Sequence, residues 1–234
     1  MTESPLVLEP LFRVGPVPIT APVVTTWAIM AATTLFVLFL RTRLSASPGK
    51  LQTAAELVTG AIEHQIGEVV EGDVTPYRAL IGTIFLFILV ANWTSLVPGI
   101  EPPTAHLETD AALALIVLAA TIWFGIRANG LGGYLKTFAQ PSWVMIPLNI
   151  VEQITRSFSL IVRLFGNIMS GVFVIGIILS LAGLFVPIPL MALELLTGAV
   201  QAYIFAILAC VFIGAAVSGE PGESATPTRE RDSA

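Results

Sequence analysis

Six polar side chains are strung through the most apolar part of this sequence, in the run EQITRSFSLIVRLFGNIMS between Glu152 and Ser170. Glu152, Arg156, Ser159, Arg163, Asn167 and Ser170 follow one another at intervals of 4, 3, 4, 4 and 3 residues. With about 3.6 residues per helical turn, such spacing places all six on one stripe of a helix. The remaining positions are Ile, Leu, Val, Phe and Met, apart from a few small or polar residues. In hydrocarbon an Arg costs roughly 2.5 kcal/mol or more at the helix centre, so it is kept only where it faces a partner or a water-filled path. The chemistry to expect is handling of a charged species inside a membrane. A solvated helix face or helix–helix ion pairing is the structural alternative, and Glu152 with Arg156 at i+4 suits such a pair.

A second polar set lies further on. Glu194, Thr197 and Gln201 are spaced 3 and 4 apart, again on one helix face, in a segment that is otherwise apolar.

Composition agrees with a membrane setting. The 234 residues are 55% hydrophobic and only 12% charged, too little charge to cover a soluble domain of that size. The mean hydropathy is +0.86. No basic stripe of the kind needed for nucleic acid is present. The single cysteine, Cys210, sits in a hydrophobic run and rules out a disulfide framework. His64 and His106 match no metal-ligand spacing, no G-x-x-x-x-G-K-[ST] phosphate loop occurs, and no cofactor is implied. The N-terminus lacks the basic region of a cleaved signal peptide, so the first apolar helix is expected to act as an uncleaved anchor.

The elements that must hold the two polar sets read as an all-α, polytopic membrane protein with about five spanning helices. Spans are expected near 24–40, 79–97, 110–126, 142–182 and 190–217, within a single membrane domain covering 1–217. An amphipathic helix at 51–70 carries Leu51, Ala55, Val58, Ile62, Ile66 and Val69 on one stripe and suits the membrane interface. His64 on it is expected to be exposed, and His106 to be a solvated loop residue. The last two helices are too long for upright spans and should form a tilted hairpin, with Gly166 and Gly171 as sites of bending or close approach. Pro187 and Pro189 turn the chain between them. The polar tail 218–234 should be disordered. Arg41, Arg43, Lys50, Arg127 and Lys136 fall on one side, and Glu101, Glu108 and Asp110 on the other. The positive-inside rule then places the N-terminus outside and the C-terminus in the cytoplasm.

The run SLIVRLFGNIMSG, Ser159 to Gly171, resembles the signature of subunit a of F-type ATP synthases, the ion-channel stator subunit. Asn92 with Pro98, PTAHLETDAALAL from Pro103 to Leu115, and ELLTGAVQAYIFAIL from Glu194 to Leu208 resemble its other landmarks, in the same order. The resemblance covers most of the chain and is weakest at the ends. It implies two aqueous half-channels that pass H+ or Na+ to and from a rotating ring of c subunits, each bearing a carboxylate. The implied partners are that ring, the peripheral-stalk b subunits and the rest of the complex, in the inner (plasma) membrane of a bacterium. Arg163 matches the family's essential arginine. Asn167 and Gln201 match polar positions beside it, Glu194 an outer-path position held by His or Glu, and Ser159 an inner-path position. Arg156, Glu152, Ser170 and Thr197 are secondary candidates.

Ser157, Asn149 and Val172 depart from the common pattern, at positions where many members carry Pro, an acid and a titratable group. With the N-terminal PLFRVGPVPIT, these departures resemble the branch sometimes called N-type, some members of which are associated with Na+. The coupling ion is therefore open between H+ and Na+. A stand-alone secondary transporter, using Arg163 and Glu194 for an anionic substrate, would be expected to show internal repeats. An intramembrane hydrolase would need a Ser–His pair on neighbouring spans. Neither pattern is present in the sequence.

Overall fold

A computed structural model describes residues 10–14, 17–42, 49–69, 75–97, 102–138, 143, 145–183 and 185–218. Among the described residues six α-helices carry the chain: α1 (Ala21–Thr42), α2 (Lys50–Val69), α3 (Thr75–Trp93), α4 (Leu107–Phe138), α5 (Met145–Ala182) and α6 (Ile188–Ser218). Five of them, all but α2, are long and apolar enough to cross a membrane. Their large exposed side chains, among them Leu35, Trp123, Phe158, Ile177 and Leu196, are what a lipid-facing surface requires. The membrane bundle is all-α, as the composition implies. A two-stranded antiparallel hairpin, β1 (Pro10–Val14) and β2 (Val17–Thr20), precedes it. Two short runs containing Phe, Val and Ile around Gly15–Pro16 were its sequence signal. The tail beyond Ser218 lies outside the described residues.

α3 and α5 finish, and α4 and α6 begin, at the same end of the bundle, the upper end. The core lies between α3, α4, α5 and α6, where Ile84, Ile88, Leu113, Val117, Leu160, Leu164, Phe205 and Ala209 pack together. α6 is the central helix: its whole inward face, from Glu194 to Gly214, is buried. α5 is peripheral and has a single narrow buried stripe, Leu160, Leu164 and Ile168. This contrast positions the site, because α5 offers most of its surface to something outside the chain.

α2 uses half of its apolar stripe. Ile62, Ile66 and Val69 pack with Ile81, Ala206 and Cys210, whereas Val58 stays exposed. Arg78 on α3 pairs with Glu63, and the Tyr203 hydroxyl donates to Gln65 Oε1 at 2.8 Å. His64 is exposed, 3.6 Å from Glu68.

α4 runs past the Ile126 boundary and breaks at Gly130, where φ is 71° and ψ 165°. That left-handed backbone favours glycine. The break swings Tyr134 back onto Gly125, where an added Cβ would lie 2.6 Å from the ring. Just before the break, the Asn129 amide donates to Ala216 O at 3.1 Å and Val217 O at 3.0 Å, closing carbonyls that the end of α6 would otherwise leave open. Asn129→Ala should cost about 1 kcal/mol of stability, measured as a lower thermal midpoint in detergent.

The 3-10 turn Pro103–Ala105 packs against α1, α3, α4 and α5. It draws the segment around His106 inward. The expectation of a solvated His106 is therefore wrong: the side chain is half-buried and its Nε2 is shielded from solvent.

Candidate functional site

The register of the α5–α6 hairpin is set by one close approach. A Cβ added at Gly171 would sit 2.6 Å from Glu194 Oε1, so the glycine is what lets that carboxyl lie against α5. Taking Gly171 opposite Glu194 and about 1.5 Å rise per residue, Arg163 is about 12 Å below that level and Gln201 about 10 Å below. Arg163 and Gln201 are therefore nearly level, with Glu194 above both.

They do not point the same way. Gln201 is turned into the bundle and is 7% exposed, and its Nε2 finds no hydrogen-bond partner among the described residues. Glu194 is also buried, with Oε1 unpartnered among the described residues. Arg163 instead faces out from α5, beside exposed Val162 and Phe158. It makes no ion pair or hydrogen bond among the described residues. Gly166, one turn above it, faces open space.

The rest of the expected seam divides in two. Arg156 is held by Glu152 at i+4 and lies 5.4 Å from the centre of the Phe212 ring, so structure accounts for both charges. Ser170 Oγ donates to Asn167 O at 2.9 Å, and Thr197 Oγ1 to Glu194 O at 3.1 Å; both are local helix bonds. Asn167 is half-buried, one turn above Arg163, and Ser159 is exposed one turn below Arg163.

The upper end holds a polar clamp that sequence reasoning registered only as a landmark. Asn92, 2% exposed, donates to Gly198 O at 2.9 Å and accepts from Thr104 Oγ1 at 2.8 Å. Gly198 permits it, since a Cβ there would meet Asn92 Cβ at 3.0 Å. Trp93 Nε1 donates to Leu195 O at 3.3 Å. These bonds tie α3, the 103–105 turn and α6 into one unit just above the Gln201 level. Asn92→Leu strands the buried Thr104 hydroxyl and crowds Gly198, at a cost of about 1–3 kcal/mol. A lower yield of folded, detergent-soluble protein should report it, and Thr104→Val in the same background should recover part of the loss.

The family profile described as ATP synthase A chain matches residues 23–214. The chain belongs to that family. Among similar A chains, "ATP synthase subunit a 2" of Bradyrhizobium sp. (strain BTAi1 / ATCC BAA-1182) is 55% identical over 93% of this chain and 97% of its own length. "ATP synthase subunit a" of Albidiferax ferrireducens is 46% identical over 87% of this chain and 91% of its own. "ATP synthase subunit a 2" of Acaryochloris marina is 44% identical, over 84% and 85%. All four stretches that carried the resemblance lie inside the matched range. Within the matched range, the run around Arg163 lies on the open helix of the hairpin, and Glu194 on the central one.

Proposed function

We propose that this chain is the ion-translocating stator subunit of a rotary F-type ATP synthase, in the plasma membrane of a bacterium. It passes ions through two aqueous half-channels to and from the carboxylates of a c-subunit ring, and so ties ion flow to ring rotation. Residues 1–217 act as one membrane domain with the N-terminus outside; the C-terminal tail 218–234 is cytoplasmic. The upper end is then the outer one.

The observation that carries this reading is Arg163: a permanent cation on an apolar, outward-facing helix surface, without an ion-pair or hydrogen-bond partner among the described residues. Such a charge is kept in a membrane only for a partner anion or a water-filled path. A guanidinium stays protonated even when partly desolvated, and beside a carboxylate it favours the ionised form. A ring carboxylate that reaches Arg163 must therefore give up its ion before it arrives and take up another after it leaves. The same fixed cation bars an ion from crossing between the two paths directly. Glu194 and Asn167 line the outer path, with Gln201 at its inner end; Ser159 begins the inner path. Arg156, Glu152, Ser170 and Thr197 shape the walls. The b subunits and the remainder of the complex complete the assembly.

Purification in mild detergent tests the assignment. The tagged chain should bring down a small, carboxylate-bearing ring subunit and a soluble ATPase head. Recovery of the chain alone, active as a transporter of an organic anion in vesicles, would reject it.

A further inference from the structure

We propose that Asp110 is a second ion-carrying carboxylate of the outer path, passing the ion between the outer solution and Glu194. The inference rests on the half-channel reading above. By sequence Asp110 counts as an outer-loop acid, but it is 0% exposed and opens the inward stripe of α4, followed by Leu113, Ala114, Val117 and Thr121. Both carboxyl oxygens are buried, and neither has a hydrogen-bond partner among the described residues.

An acid in the first turn of a helix suits the helix dipole, which is the structural reason to find one there. Glu108, in the same turn, fits that role and is exposed to solvent. Asp110 does not, because its oxygens accept nothing and its side chain is turned inward. A buried carboxyl without donor or cation is tolerated either holding a proton or beside a bound cation, so it is a place where an ion can rest. It shares the upper end with the Asn92–Thr104 pair and with Glu194, whose Oε1 is likewise unpartnered. Two buried carboxyls at one end of the bundle, Asp110 with both oxygens and Glu194 with Oε1 unpartnered among the described residues, suit a two-step relay, and a membrane interior keeps such groups for ion paths.

The surrounding elements supply few competing charges. Half-buried His106 lies one turn before Asp110, and its carbonyl accepts the Asp110 N–H at 3.3 Å. α6 contributes Glu194, and α3 only the neutral Asn92. α5 carries no ionisable residue above Arg163, and α1 none above Arg41.

The test uses the whole complex in inverted vesicles, following ATP-driven uptake of H+ and Na+ against ATP hydrolysis. Asp110→Asn, Asp110→Glu and Arg163→Ala are compared at equal ring content. Asp110→Asn should lower uptake per ATP hydrolysed about tenfold or more, and Asp110→Glu should restore most of it, as for a group that itself carries the ion. If Asp110→Asn pumps like wild type while Arg163→Ala is inactive, the relay is wrong and the channel reading stands. If both pump normally, the channel reading fails as well. Should Asp110→Asn assemble poorly, Asp110→Cys in a Cys210→Ala background replaces it. Treated in whole cells, and so from the outer side, with a small water-soluble methanethiosulfonate cation before inverted vesicles are made, that cysteine should react, and the reaction should stop the uptake that remains. An unreactive thiol overturns the relay.

Discussion

Arg163→Ala should reduce ATP-driven ion uptake, and ATP synthesis driven by an imposed ion gradient, to the level of vesicles without the complex. Assembly should be normal, because the side chain makes no bond among the described residues that truncation could break. What is lost is the fixed charge. Without it nothing holds a passing carboxylate in its ionised form, and rotation no longer requires release on one side and uptake on the other. Arg163→Lys should recover little. A lysine amine gives up its proton readily when desolvated and lacks the planar fork that meets a carboxylate with two bonds. Near-normal uptake with lysine would show that any cation suffices there.

Glu194→Gln should slow uptake about tenfold or more at unchanged assembly, and Glu194→Asp should keep a larger share of the rate. Glutamine has nearly the same shape and fits against Gly171, so packing is preserved while the ability to carry an ion is removed. The complementary change is Gly171→Val, which pushes bulk into the 2.6 Å approach to Glu194 Oε1 and should displace the carboxyl, lowering the rate with Glu194 intact. If Glu194→Gln pumps normally and Gly171→Val does not, the close approach serves helix packing and Glu194 carries no ion.

The sequence displayed whatever repeats with helical period. The seam from Glu152 to Ser170 and the set Glu194, Thr197 and Gln201 could be placed on their faces because each lies on a single helix. Contacts between helices had no such signal. Asn92 and Gly198 are 106 residues apart and joined by one side-chain-to-backbone bond, which no periodicity announces. The same holds for Gly171 against Glu194, although the glycine was marked as a point of close approach. Gln201 could be assigned to a face of α6, but not to the inside of the bundle, because that depends on α6 being central. Asp110 reads from sequence as an acid on the outer side at the start of the third span, and its burial has no sequence signal, because that depends on the turn at 103–105 packing against α4. The hairpin at 10–20 was overlooked beside a far stronger helical signal.

If Arg163 faces a ring of carboxylate-bearing subunits, a crosslinker beside it should reach that ring. Val162 adjoins Arg163 on the same open surface of α5, 47% exposed, and can be replaced by a photo-crosslinking residue without touching the core. Illumination of the membrane-embedded complex should give one main adduct, between this chain and the small ring subunit. Its yield should fall when the ring is removed by detergent and salt. Adducts with lipid alone, or with a stalk subunit and never the ring, would show that Arg163 does not face the ring.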